Sequence, residues 1–201
     1  MPVEIERRFL VLDPCAAMGA RVAAFSHITQ GYFGHVDGLR VRVRVVCGAY
    51  DECTAFLTFK GARRGICRLE YEYPLDVARA WRALDCLPPL EIIQKTRHRV
   101  PHRDGLEWSV DQFEGPNQGL FIAEVELSHP HQKIALPSWA GEEITFDPRY
   151  GNSQLARAPM PLSTTIGGGQ WRASNTLRPV PCPDVRELVP FETLLDAASE
   201  P

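Results

Sequence analysis

Glu4 and Glu6 stand two residues apart in Glu4-Ile5-Glu6-Arg7-Arg8, with Arg8 two further on. Residues two apart in an extended strand share a face. The segment therefore offers two carboxylates and a guanidinium side by side. The same spacing recurs four times. Arg40, Arg42 and Arg44 alternate with Leu39, Val41, Val43 and Val45. Arg68, Glu70 and Glu72 oppose Leu69, Tyr71 and Tyr73, and Lys95, Arg97 and Arg99 fall together. Glu124 and Glu126 oppose Ala123, Val125 and Leu127. One such strand is more often the solvated face of a sheet. Five are different, because the charges are sorted: two strands carry only bases, one only acids, and two carry acids with a single base. Rows of like charge repel unless a ligand or a facing row neutralises them. The charged faces are therefore expected to converge on a shared polar interior, with the apolar faces outward under helices. Carboxylates hold hard divalent cations such as Mg2+ or Mn2+. Arginine and lysine hold phosphate oxygens. The expected ligand is a metal-complexed polyphosphate.

The elements that must position these rows read as follows. Strands are predicted over residues 2–11, 26–35, 39–47, 54–60, 66–74, 91–101, 106–113 and 120–128. Asp13-Pro14 opens a helix over 14–24, and Asp76 caps one over 77–86 that Pro88-Pro89 stops. Asp37-Gly38 and Asp104-Gly105 are turn signals. Residues 134–156 are mixed, with a short helix near 152–156. Eight or so strands with two or three helices indicate an α+β barrel or a strongly curved antiparallel sheet. Residues 157–201 are rich in proline, contain Gly167-Gly168-Gly169, and read as a largely irregular extension with a short helix over 191–198.

Bulk properties narrow the function. The 201 residues are 44% hydrophobic and 23% charged, an ordinary soluble composition. A net charge of −3 gives no basic field for nucleic acid. There is no apolar leader and no membrane-length run, so a cytoplasmic protein with no membrane partner is expected. The six cysteines lack Cys-x-x-Cys spacing, which argues against a zinc site and for free, partly buried thiols. Cys47 and Cys53 could face each other across a hairpin, an arrangement given little weight.

The ordered motifs resemble the CYTH superfamily, the triphosphate tunnel metalloenzymes, and in particular its short bacterial single-domain members. Glu4-Ile5-Glu6-Arg7-Arg8 is similar to that family's Glu-x-Glu-x-Lys strand. The likeness continues through Gln30-Gly31-Tyr32, Arg40-Val41-Arg42, Phe59-Lys60-Gly61 and Arg68-Leu69-Glu70-Tyr71-Glu72. It runs on through Gln94-Lys95-Thr96-Arg97, Trp108–Phe113 and Ala123–Leu127, then Trp139–Thr145 and Asp147–Ser153. The resemblance implies a domain over 1–156 built as an eight-stranded antiparallel tunnel, open at both ends. It implies that Glu4, Glu6, Glu70, Glu72, Asp111, Glu124 and Glu126 bind the metal, Mg2+ or Mn2+. Arg40, Arg42, Lys60, Arg68, Lys95 and Arg97 would grip phosphates. Arg8 and Tyr32 are the catalytic candidates. Arg8 departs from the family pattern, where lysine stands; arginine keeps its charge and does poor acid–base work.

The implied activity is metal-dependent hydrolysis of inorganic triphosphate to pyrophosphate and phosphate, by a monomer or homodimer. The alternatives are an adenylate cyclase making cyclic AMP from ATP, and a non-catalytic polyphosphate-binding module. His129-Pro130-His131 reads as a solvated turn rather than a metal site, His98 as an outer-face residue, and Trp81, Trp108 and Trp139 as packing residues.

Overall fold

The computed structural model describes residues 3–19, 22–50 and 52–161. The predicted 191–198 helix, the Gly167–Gly169 run and Trp171 lie outside the described residues. In chain order the elements are β1 (Val3–Val11), α1 (Pro14–Gly19), β2 (Ala24–Val36), β3 (Leu39–Cys47), β4 (Cys53–Lys60) and β5 (Cys67–Leu75). Next come α2 (Val77–Asp85), β6 (Ile92–Pro101), β7 (Glu107–Phe113), β8 (Phe121–Glu126), β9 (Ala140–Glu143) and α3 (Asn152–Arg157). Neighbouring strands run β5-β4-β3-β2-β6-β7-β8-β1, and β1 pairs back onto β5. Eight antiparallel strands thus close a barrel. The short β9 was not foreseen as a strand; it extends the β1 edge beyond the stretch that β5 covers. Arg7, between the inward Glu6 and Arg8, bonds Glu143 of β9, Nε to Oε1 at 2.9 Å.

The turns and caps follow local chemistry. Asp37 and Gly38 adopt φ of 49° and 77°, the mirror-image turn that suits a tight hairpin. The Asp76 carboxylate accepts from the Arg79 backbone N–H, and the Asp13 carboxylate from that of Ala16. The first helix ends at Gly19, shorter than expected, and β2 already begins at Ala24.

The apolar faces point outward, as the alternation requires. Val43, Val45 and Ala55 of β3 and β4 pack beneath Ala80 and Leu84 of α2. Gly31 permits this docking, because a Cβ there would lie 2.4 Å from Leu87 Cδ1 and 2.7 Å from Leu84 Cδ2. A second outer layer joins Phe9, Trp108, Val110, Ala123, Val125 and Trp139 with Ala17 of α1. Trp108 and Trp139 meet edge-on at 5.6 Å, so both are packing residues. Trp81 remains 38% exposed on α2.

Two expectations are corrected. Ile93, Phe113 and Ile122 share parity with the inward charged rows, and they pack with Ile144, Leu155 and Ala156. Part of one barrel end is therefore filled by an apolar cluster and α3, rather than standing fully open. Cys47 and Cys53 are register partners at the β3–β4 hairpin end, with Cα atoms 4.1 Å apart, and form a disulfide. Sequence spacing alone did not show that the turn closes directly beyond them. No described helix is long and apolar enough to cross a membrane.

Candidate active site

The barrel encloses a cavity of about 1330 Å3. Its lining contains every expected site residue except Asp111: Glu4, Glu6, Arg8, Tyr32, Arg40, Arg42, Lys60, Arg68, Glu70, Glu72, Lys95, Arg97, Glu124 and Glu126. The strand register builds this lining. Glu4 lies opposite Arg68, Glu6 opposite Glu126 and Arg8 opposite Glu124. Arg40 pairs with Lys60, which pairs with Glu70. Tyr32 pairs with Arg42, and Arg97 with Asp111.

Acids and bases neutralise each other across these strands. Lys60 Nζ lies 3.0 Å from Glu4 Oε1 and 2.7 Å from Glu70 Oε2. Arg68 reaches Glu4 Oε2 at 2.6 Å. Arg42 donates to Thr58 at 3.1 Å and lies 3.3 Å from both Glu70 and Glu72. Arg97 bonds Asp111 through Nε and Nη2, each at 2.7 Å, and also pairs with Glu124. Lys95 donates to Asp111 as well. Asp111 is fully buried behind these two cations, with both oxygens occupied.

The charges are unevenly balanced. Burial would raise the Asp111 carboxyl, but Arg97 and Lys95 overcome it and bring it down to about 2. Glu4 behaves alike: burial is outweighed by Lys60 and Arg68, and the carboxyl falls well below the usual range. Glu6 goes the other way, raised by burial and then by Glu124 and Glu4. Its facing partner Glu126 has no ion-pair or hydrogen-bond partner among the described residues. Glu6, Glu124 and Glu126 thus crowd three carboxylates together; Glu6 pairs with Arg63 and Glu124 with Arg97, while Glu126 has no such partner among the described residues. Lys60 and Lys95 are lowered by burial despite their carboxylate partners. Among the described residues, no group of three or more His, Cys, Asp or Glu side chains is already gathered as a metal site.

Arg8 is buried and has no carboxylate partner. Its Nη1 donates to the Tyr150 carbonyl at 3.0 Å and its Nη2 to the Thr145 carbonyl at 3.2 Å. Its Nε is buried without a partner. Tyr32 is also buried, and its hydroxyl accepts from Gln30 Nε2 at 2.8 Å. Burial pushes the phenol up to about 12, so it keeps its proton at neutral pH.

Sequence reasoning missed Arg63, which reaches in from the loop after β4 to Glu6 and to the Thr145 carbonyl. No periodicity marks a loop residue. Arg44 had a signal, its place in the Arg40-Arg42 row, yet it was not assigned; it binds Glu72 at 2.8 Å and lines the cavity.

Comparison with known proteins accords with this geometry. The CYTH domain model matches residues 2–158. An inorganic triphosphatase of Acetivibrio thermocellus is 38% identical over 159 residues, spanning 79% of this chain and 96% of that protein. An inorganic triphosphatase of Nitrosomonas europaea is 33% identical over 160 residues, spanning 76% and 96%. The crystal structure of an inorganic triphosphatase superposes with a TM-score of 0.56 at 30% identity, covering 80% of this chain and 98% of that one. With a closed antiparallel barrel, an interior of sorted charge and this match over most of its length, the chain belongs to the CYTH domain family.

Proposed function

We propose that the protein hydrolyses inorganic triphosphate to pyrophosphate and phosphate in a divalent-metal-dependent reaction. One observation carries the reading: separate rows of acids and bases converge on one cavity and neutralise each other pairwise. A metal–polyphosphate complex has the same two charges. Its cation can take the acids while its phosphates take the bases, so every ion pair given up is replaced. The names of the two curated relatives and of the solved structure support inorganic triphosphate as the substrate.

The donor set fits a hard divalent cation. Glu4, Glu6, Glu70, Glu72, Glu124 and Glu126 supply carboxylate oxygens, and the crowding that raises Glu6 is what added positive charge would relieve. When bound, Mg2+ or Mn2+ supplies Lewis-acid polarisation of phosphoryl oxygens and lowers the pKa of a coordinated water. Asp111, expected among those ligands, is better supported in another role. It lies behind the lining and holds Lys95 and Arg97 toward the cavity. Arg40, Arg42, Lys60, Arg68, Lys95 and Arg97, all in the cavity lining, bind phosphate oxygens and stabilise charge as the terminal P–O bond breaks. Tyr32 holds a proton at its hydroxyl and can only donate. Cys15 and Cys67 are unbridged thiols, but the Cys47–Cys53 disulfide is a bond that a reducing cytoplasm disfavours, so cysteine usage does not support that setting.

The direct test is phosphate release from triphosphate, ATP, thiamine triphosphate and long-chain polyphosphate, with Mg2+ and Mn2+ separately. Triphosphate is expected to be turned over fastest, with activity abolished by chelation. Metal-independent release, or none from triphosphate, contradicts the proposal.

Arg8→Lys provides a further prediction. An ammonium is shorter and does not reproduce the fork that joins the Tyr150 and Thr145 carbonyls. The change should cost about 1–3 kcal/mol of stability and either raise turnover or alter which triphosphate is preferred. Thermal unfolding and kinetics on several triphosphates read this out. Equal kinetics on all of them would show that the exchange is benign.

A further inference from the structure

The outer wall of the barrel carries a row of reactive groups that the cavity does not use. Thr96 of β6, His27 of β2, Cys47 of β3 and Cys53 of β4 stand side by side, each the register partner of the next. Register partners in an antiparallel sheet project from the same face, with Cβ atoms about 4.5–5.5 Å apart. That face is the outer one. Thr96 lies between Lys95 and Arg97, which line the cavity, and Cys47 and Cys53 pack at the margin of the cluster beneath α2. His27 is exposed and both cysteines are half-buried, so a small thiol has access to the row.

Hydrogen bonds fix the tautomer of His27. The Thr96 hydroxyl donates to Glu114 Oε1 at 2.7 Å. Its single proton is thereby used, so at the 2.9 Å contact His27 Nδ1 donates to Thr96 Oγ1. Nε2 is left as the nitrogen that takes up or gives a proton, on the strand next to Cys47. A histidine beside a cysteine favours the thiolate, the form that attacks and leaves in disulfide exchange. Cys53 is one strand further off. The bond itself joins residues only 6 apart, and so short a loop adds little stability by restraining the unfolded chain. Nor does the turn depend on it. The Gly48 N–H donates to the Glu52 carbonyl at 3.0 Å, and the β3–β4 ladder continues to Arg40 and Lys60. The two sulfurs therefore remain neighbours when the bond is open, and their proximity lets it re-form.

We propose that Cys47 and Cys53 form a reversible thiol–disulfide pair, with His27 activating Cys47, so that the outer wall carries a redox-responsive site for small thiols and disulfides. In reduction, an external thiolate attacks Cys53 Sγ. The Cys47–Cys53 bond breaks, a mixed disulfide forms on Cys53, and Cys47 leaves as a thiolate beside His27. A second external thiolate attacks the external sulfur of the mixed disulfide, releases the Cys53 thiolate and departs as a disulfide. Two electrons pass from the two thiols to the pair, and the two protons they give up end on Cys47 and Cys53. A small disulfide drives the reverse sequence. The row shares no residue with the cavity lining, so it stands whatever the cavity binds.

Equilibration of the full-length protein with reduced and oxidised glutathione at a series of ratios tests this. Free thiols are then blocked with N-ethylmaleimide, and the tryptic peptide 45–60, which holds both cysteines, is weighed by mass spectrometry. The peptide is expected to pass reversibly from no maleimide to two as the ratio turns reducing. A purely structural disulfide resists this thiol pool. No label at any ratio, or two at every ratio, overturns the proposal. The role of His27 is read from single cysteines. Cys53→Ser leaves Cys47 alone in the peptide, and Cys47→Ser leaves Cys53. At neutral pH iodoacetamide is expected to alkylate Cys47 about threefold faster than Cys53, a larger thiolate fraction being partly offset by weaker nucleophilicity. His27→Gln added to Cys53→Ser should abolish that advantage. Equal rates for the two single cysteines, or an advantage that survives His27→Gln, overturns the assignment of His27 as the activating group.

Discussion

Asp111→Ala is expected to destabilise the protein by about 3–5 kcal/mol, the range for removing one partner of a buried ion pair. Asp111 is fully buried and is the common acceptor for Lys95 and Arg97. Removing it leaves two cations with less compensation, of which Lys95 is itself only 2% exposed. For a chain of this size the loss corresponds to a drop in Tm of roughly 6–20 °C. Arg97 retains Glu124 as a partner, whereas Lys95 has no other carboxylate within ion-pair distance. Lys95 can respond by losing its proton, since burial already lowers it. In the variant its folded pKa falls further below that of the unfolded chain. Between those two values the unfolded state binds more protons, so stability rises with pH and the penalty shrinks. Urea denaturation at several pH values measures both effects. A loss below about 1 kcal/mol at neutral pH would mean that Asp111 does not hold the pair. Activity should fall together with stability, because Lys95 loses its carboxylate partner and Arg97 is held by Glu124 alone.

The second large effect concerns the strand that begins the site. Glu4→Gln/Glu6→Gln is expected to lower turnover of triphosphate by at least about a thousandfold, taking several kcal/mol of transition-state stabilisation from the cation. Glutamine keeps the side-chain volume and one oxygen but removes the charge. The same change frees Lys60 and Arg68 from Glu4 and Arg63 from Glu6. Metal-free phosphate binding should therefore persist or strengthen while catalysis collapses. That opposite movement distinguishes loss of metal from general damage, and circular dichroism checks that the barrel remains. A double variant that hydrolyses as fast as wild type would remove Glu4 and Glu6 from the mechanism.

Much of this architecture was legible because a strand side chain has only two faces. Glu4 and Glu6, Arg40 and Arg42, and Lys95 and Arg97 each had to share a face once their segments were extended. Sorting by sign then required a neutralising counterpart, and only a closed surface lets all the rows meet. β3 was read to the residue, since its alternation is unbroken and a mirror-image turn begins it. β9 was not read, because four residues carry too little periodicity, and its strand character comes from pairing with β1.

What the chain determines by itself is therefore local and periodic: the strands, the caps at Asp13 and Asp76, and the inward acids and bases. Which acid meets which base is set by register between distant segments, and no spacing along the chain encodes it. Closure places Lys60 between Glu4 and Glu70, puts Asp111 behind the lining rather than in it, and brings Arg63 in from a loop. It also fastens Arg8 to the carbonyls of Thr145 and Tyr150. These are contacts between residues about 10 to more than 130 positions apart. Burial and pairing there set each group's charge, which residue type and spacing alone leave open.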